Sequence, residues 1–218
     1  MINRHEASLN MLEGQLKPNG ITCTKVIQTV LEIDRSLFTP EKYHNIAFSD
    51  VDIPLYDTYS IPKPLLASKL LQEMDLKKSD KVLEVGTGSG YLTACIAKNV
   101  KEVVTIDINE GLINKAKSLH ANLSFHNITY KCVDVFSSLD FIEKFDKILI
   151  DASCNDKVLK LKELLNINGL MVYFYGLPPI SNLIVSKKVS ENQFIDSNPF
   201  ECFREPLTDN GYVKKLDF

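Results

Sequence analysis

The chain has 218 residues, 44% hydrophobic and 24% charged, with a formal net charge of −3. That length and balance fit one globular domain, or one domain with an appended subdomain, long enough to bury a sizeable core. They argue against nucleic acid as a main partner, because phosphate binding needs a basic face, and Lys77-Lys78 and Lys214-Lys215 are isolated pairs that read as solvated surface.

The opening "MINRHEASLN" lacks the apolar core of a signal peptide, and no apolar run approaches the roughly 20 residues of a membrane span. From about residue 5 to 45 the pattern is helical. Leu9, Leu12 and Leu16 share a face, "PNG" breaks the run, and Val26, Val30 and Ile33 continue it to the turn-like "RSLFTPEKY", so two or three short helices are expected. "YDTYSIPKP" (56–64) then precedes an amphipathic helix marked by Leu65, Leu66, Ala67, Leu70, Leu71 and Met74. Its prolines suit a stiff lead-in to that helix, and a loop that grips a substrate is the alternative.

At Lys81 the pattern changes. "KVLEV" (81–85), "EVVTID" (102–107), "ITYKCVD" (128–134), "DKILID" (146–151) and "LMVYFY" (170–175) read as strands, separated by helical stretches near 91–99, 110–121 and 156–166. Such β-α-β alternation implies a doubly wound α/β domain with a mainly parallel sheet. "LIVSKKV" (183–189) and "FIDSNPFECF" (194–203) suggest a closing antiparallel hairpin, which favours a methyltransferase over a dinucleotide-dependent dehydrogenase. The expected division is an N-terminal helical subdomain with the loop over 1–78, and a Rossmann-like domain over 79–218, joined in one compact unit.

The five cysteines, 23, 95, 132, 154 and 202, are scattered, odd in number and never spaced Cys-x-x-Cys. This fits free thiols in a reducing, cytoplasmic setting better than a disulfide framework or a zinc site. His5, His44, His120 and His126 show no metal-ligand spacing and read as surface residues.

"VLEVGTGSGY" sets Gly86, Gly88 and Gly90 between a strand and a helix, where glycines let the backbone turn sharply and a ligand lie against the main chain. The spacing is G-x-G-x-G, unlike the G-x-G-x-x-G of dinucleotide sites. Asp107 ends the next strand, 21 residues after Gly86, where a carboxylate can accept both hydroxyls of a ribose. Asp134 ends the third strand, placed for the exocyclic amine of an adenine, and Glu84 precedes the glycines, placed for an ammonium group. A ligand with those three groups is S-adenosylmethionine, with Thr87, Ile108 and Val135 beside the same contacts. A dinucleotide would need donors for its pyrophosphate and gain nothing from Glu84.

From about residue 8 to 207 the chain resembles the protein-L-isoaspartate O-methyltransferase family. "MLEGQL" with "GI" resembles its opening helix, "RSLFTPEKYHNIAFSDVDIPL" its segment from R-x-x-F-V-P to a leucine-proline, "VLEVGTGSGY" its cofactor loop and "EPL" (205–207) its C-terminal V-P-L. The resemblance implies isoaspartyl proteins or peptides as substrates. It also implies Glu84, Gly86, Gly88, Asp107 and Asp134 as S-adenosylmethionine contacts. Counted without gaps from Ile53-Pro54, the family's G-Q-T-I-S-Q-P falls on 58–64, so its substrate-holding serine is Pro62 here. That exchange removes a hydroxyl and a backbone N–H.

Tyr59, Ser60 and Lys63 remain to hold the substrate, and Lys63 either supplies the positive charge that replaces the serine or is a surface lysine or the partner of a nearby acid. The family's G-D-G is "VDV" (133–135), and its V-T-A-A is "IDAS" (150–153), which puts Asp151 where a threonine is usual. Asp151 could be a general base for a hydroxyl or amine acceptor, or an N-cap in "DASCND" together with Ser153 or Asn155. A nucleophilic Cys154 is not expected, since no histidine is placed to activate it. Three functions follow: a repair methyltransferase, a small-molecule methyltransferase with Asp151 as base, or a cofactor-binding protein without catalysis.

Overall fold

The computed structural model describes residues 4–56, 59–136, 143–176 and 179–207. Thr58 and the Lys214-Lys215 pair lie outside them.

The N-terminal third is helical. Helix α1 (Arg4–Met11) runs into a wide π-type turn over Leu12–Leu16 and a 3-10 turn over Lys17–Asn19, ended by Gly20 in the left-handed conformation, φ 88°. The wide turn shifts the helical phase, so Leu9 stays exposed and Met11 joins Leu12 and Leu16 inside. Helix α2 (Thr24–Glu32) buries Val26 and Val30 as its periodicity predicts, and 3-10 turns follow at Arg35–Phe38 and Glu41–Ile46. Strands β1 (Ile53–Tyr56) and β2 (Tyr59–Ile61) form a small antiparallel ribbon, and α3 (Pro64–Glu73) begins at Pro64.

The main sheet comprises β3 (Lys81–Val85), β4 (Glu102–Asp107), β5 (Ile128–Cys132), β6 (Phe145–Cys154), β7 (Leu165–Tyr175), β8 (Ser181–Ser190), β9 (Gln193–Ser197) and β10 (Glu201–Cys202). Helix α4 (Tyr91–Ala97) links β3 to β4, and α5 (Glu110–Asn122) links β4 to β5. The strand order is β5-β4-β3-β6-β7-β8-β10, with β9 also on β8. Pairs from β5 to β7 are parallel and those made by β8 antiparallel, so the hairpin closes a doubly wound sheet as expected. The stretch read as a helix near 156–166 is instead a run of 3-10 turns, Asp156–Leu164, and β7 starts earlier, at Leu165.

Strand alternation divides the core between the two faces of the sheet. Val82, Val103, Leu149 and Val172 pack with α3, α4 and the N-terminal helices in one continuous cluster. Leu83, Val85, Ile106, Ile148 and Ile150 face the other side, with Val158 and Leu161 of the 3-10 run. Among the described residues no helix is long and apolar enough to cross a membrane, and no cluster of side chains could hold a metal ion.

Candidate active site

The order reverses at β3, between β4 on one side and β6 on the other, and such a switch point opens a crevice beyond the carboxyl ends of the strands. The cleft found there has a volume of about 480 Å³, within the range of small-molecule sites.

Its floor is the glycine loop. Gly86 and Thr87 donate backbone N–H groups to the Ile106 carbonyl at 2.8 and 3.3 Å, tying the loop to the end of β4. Gly86 and Gly90 adopt φ +96° and +84°, which an L-residue reaches only with strain. The backbone thus lies bare toward the cleft, with Thr87 turned inward to share a 2.8 Å hydrogen bond with Thr105.

Asp107 stands at this wall. One carboxylate oxygen accepts from the Gly88 N–H at 3.0 Å and the other from the Asn109 N–H at 2.9 Å, so the acid organises the loop as well as facing the cleft. A carboxylate has about four acceptor positions, which leaves capacity for a diol. Ile108, exposed beside it, and Asp134 and Val135 beyond β5 complete this end, where Asp134 also accepts from the Phe136 N–H at 2.8 Å. The apolar lining with a few acids suits an adenosine whose ribose and amine need acceptors.

Glu84 is not on that wall. Strand alternation turns it under α4, where it is 2% exposed and its Oε2 accepts from Thr93 and Thr105 hydroxyls at 2.5 and 2.7 Å. Burial pushes its pKa up to about 8, opposed by those two hydrogen bonds. A carboxyl largely neutral at pH 7 and facing two threonines does not serve the ammonium expected of it. In the cofactor-free protein the folded state keeps a proton that the unfolded chain releases near pH 4.5. Its stabilising share is therefore complete at low pH and falls by about 1.4 kcal/mol per pH unit as pH climbs toward 8. Relative to wild type, Glu84→Gln should gain stability between pH 5.5 and 7.5 in urea unfolding. A pH-independent difference would mean that Glu84 is ionised in the fold.

His120, read as a surface residue, is 1% exposed. Its Nε2 lies 2.8 Å from the Gly90 carbonyl, which only accepts, so Nε2 carries the proton and Nδ1 accepts from the Tyr130 hydroxyl at 2.7 Å. Burial lowers its pKa, keeping the ring neutral beneath the glycine loop.

The opposite wall holds Tyr59, Ser60 and Pro62, all lining the cleft. The described part of "YDTYSIPKP" from Tyr59 onward proves to be both a helix lead-in and a cleft wall. Asp50 accepts from the Leu65 N–H at 3.1 Å and Asp52 from the Lys63 N–H at 2.7 Å, which caps α3. Arg35, 1% exposed, donates to the carbonyls of Ala47 and, at 2.8 Å, Pro62, so a buried guanidinium pins this wall from behind. Lys63 does not reach the cleft. Its ammonium lies 3.6 Å from Asp50 on a half-exposed side chain, where the capping acid claims its charge.

Asp151 does line the cleft, but it caps no helix: β6 runs on to Cys154, with a bulge between Ile150 and Ser153. Its Oδ2 accepts from Arg204 Nη2 at 2.7 Å. Burial raises its pKa to about 6, Arg204 opposes that shift and Asp52 adds to it. The buried Cys154 thiol is pushed up by desolvation, as befits a packing residue.

Arg204 is the residue that sequence reasoning missed. It arrives because the C-terminal segment docks on β6, with Ser153 N–H donating to Glu205 O at 2.9 Å and Leu207 N–H to Ser153 O at 2.8 Å. The neighbouring "EPL" was the one local signal for this segment.

Residues 7–210 match the family model described as Protein-L-isoaspartate(D-aspartate) O-methyltransferase. The chain belongs to that family. The protein-L-isoaspartate O-methyltransferase of Petrotoga mobilis is 36% identical over 198 residues, 90% of this chain and 93% of that one. That of Dictyoglomus turgidum is 34% identical over 161 residues, 74% and 73%. A Plasmodium falciparum structure assigned to the same enzyme, in complex with S-adenosyl-L-homocysteine, superposes with a TM-score of 0.79 at 21% identity, covering 96% of this chain and all of that one. A second structure of a protein-L-isoaspartate O-methyltransferase gives 0.80 at 19% identity, covering 95% and 67%. At these identities the solved structures bear on the fold.

Proposed function

We propose that the protein is an S-adenosylmethionine-dependent methyltransferase that esterifies isoaspartyl carboxylates in damaged proteins or peptides. The observation that carries this reading is one cleft with two unlike ends. Asp107 and Asp134 border the bare glycine backbone at one end, while Ser60, Pro62 and Arg204 border the other. Asp107 would hold the ribose hydroxyls, Gly86 and Gly88 would receive the chain of the cofactor, and Asp134 with Val135 and Ile108 would hold the adenine. Bound there, S-adenosylmethionine supplies a sulfonium methyl that an acceptor carboxylate oxygen takes, leaving a methyl ester and S-adenosylhomocysteine.

That acceptor needs no base, because a carboxylate with a pKa near 4 is already ionised at pH 7. Catalysis reduces to alignment at near-attack distance in a site that excludes water. Tyr59, Ser60 and Pro62 form the wall against which the acceptor lies, and Arg35 keeps that wall in place from behind. Family membership favours this over a hydroxyl or amine acceptor, and so does the placing of Asp151, whose Oδ2 is held by Arg204 and whose Oδ1 is buried, so that neither oxygen is open to take a proton from such an acceptor. We place the activity in the cytoplasm, a reading supported by five cysteines present as free thiols.

The test is incubation with methyl-labelled S-adenosylmethionine and an isoaspartyl peptide, beside its normal aspartyl twin. Base-releasable label on the isoaspartyl peptide alone is expected. Equal labelling of both peptides, or of neither, would overturn the assignment.

A further inference from the structure

The carboxylate acceptor of the proposed reaction enters a cleft bordered by Asp107, Glu110, Asp134 and Asp151. Such a lining repels an anion unless a cation is built into it. Among the described residues lining the cleft, the one cationic side chain is Arg204. The segment facing it offers no substitute: Pro62 has no N–H to donate, its carbonyl is held by Arg35, and Lys63 is turned to Asp50.

The donors of Arg204 are only partly used. Nη2 serves Asp151, at 2.7 Å to the carboxylate and 3.3 Å to the backbone carbonyl. Nη1 stands 3.9 Å from Asp52, beyond hydrogen-bond length, and Nε is buried with no hydrogen-bond partner. Oδ1 of Asp151 is likewise buried and unpartnered. A structural ion pair normally closes such gaps, because an unsatisfied buried donor costs the full desolvation of that group. Here both residues line the cleft, Arg204 is 5% exposed, and Nη1, which is not among the buried unpartnered atoms, is the donor placed to meet a ligand.

We propose that Arg204 is the ligand of the acceptor carboxylate, and that Asp151 is the positioning residue that neutralises and aims it while the cleft is empty. The planar guanidinium presents a fork of donors matched to the two oxygens of a carboxylate. The C-terminal segment that carries it is tied to Ser153 of β6 directly after it, through Glu205 and Leu207, so the head group is held where the acceptor enters. This inference rests on the carboxylate-acceptor reading above.

Equilibrium binding of a fluorescent isoaspartyl peptide, in the presence of S-adenosylhomocysteine, tests it without requiring turnover. Arg204→Met is expected to weaken peptide binding at least tenfold and leave the affinity for S-adenosylhomocysteine within about twofold. Arg204→Lys should recover part of the loss. Asp151→Asn, which keeps the shape and removes the competing charge, should leave peptide affinity equal or higher. The proposal falls if Arg204→Met binds peptide like wild type, or if Asp151→Asn and Arg204→Met weaken it alike, as a purely structural pair would. Methyl transfer measured on the same proteins separates the two readings. Arg204-dependent binding without transfer by wild type overturns the activity and keeps the site, whereas transfer that is indifferent to Arg204 overturns the site and keeps the activity.

Discussion

Asp107→Ala should weaken binding of S-adenosylmethionine and S-adenosylhomocysteine by roughly 30-fold, about 2 kcal/mol, the range of a hydrogen bond to a charged group. Two losses combine. The carboxylate would no longer meet the ribose, and the backbone N–H groups of Gly88 and Asn109 would lose their acceptor, so the loop would be less well set for the ligand. Asp107→Asn separates these, because an amide oxygen can still accept one of the two backbone bonds while the charge is gone. It should lie between wild type and alanine. Isothermal titration with S-adenosylhomocysteine reads both variants directly. An unchanged dissociation constant for Asp107→Ala would show that the ribose lies elsewhere, and the assignment of this end of the cleft would fail with it.

Gly90→Ala should cost about 3 kcal/mol of folding stability, more than the same exchange at Gly86. A Cβ at residue 90 would lie 2.8 Å from two ring atoms of His120 and 2.9 Å from the Ala116 Cβ. The ring cannot swing aside cheaply, since its two nitrogens are engaged by the Gly90 carbonyl and the Tyr130 hydroxyl. Ala116 is fixed on α5. Overpacking of this kind costs about 1–3 kcal/mol, and the left-handed backbone at φ +84° adds about 1–2 kcal/mol for an L-residue. At Gly86 nothing lies within 4 Å of the added atom, so the backbone penalty stands by itself. Urea unfolding of the two variants should therefore differ by more than 1 kcal/mol, with Gly90→Ala the less stable. Equal losses would mean that His120 and α5 yield to the new methyl group, and that the packing under the loop is looser than its hydrogen bonds indicate.

The acceptor end of the cleft departs from the sequence expectation more than the cofactor end, and the cause is the range of the interactions. Of the two readings open for Lys63, charge for the substrate or a partner for a nearby acid, the fold selects the second: Asp50, 13 residues earlier, takes its ammonium and also caps α3. Asp151 and Arg204 are 53 residues apart and meet only because the chain doubles back from β10 onto the end of β6. Glu84 occupies its predicted place on β3, but its environment comes from Thr93 on α4 and Thr105 on β4. His120 has the same history, drawn inside by Gly90 and Tyr130.

What the sequence by itself determined is the alternation of elements, the glycine loop and the placing of Asp107 and Asp134 at the ends of adjacent strands. These depend on residue periodicity and on turns within a single β-α-β unit, where chain connectivity alone holds the partners close. Only the tertiary structure decided which charged groups face the cleft and which are spent elsewhere. A buried charge takes whatever partner the folded chain brings within hydrogen-bond reach, and that partner is chosen by sheet order and by the docking of distant segments rather than by spacing along the chain.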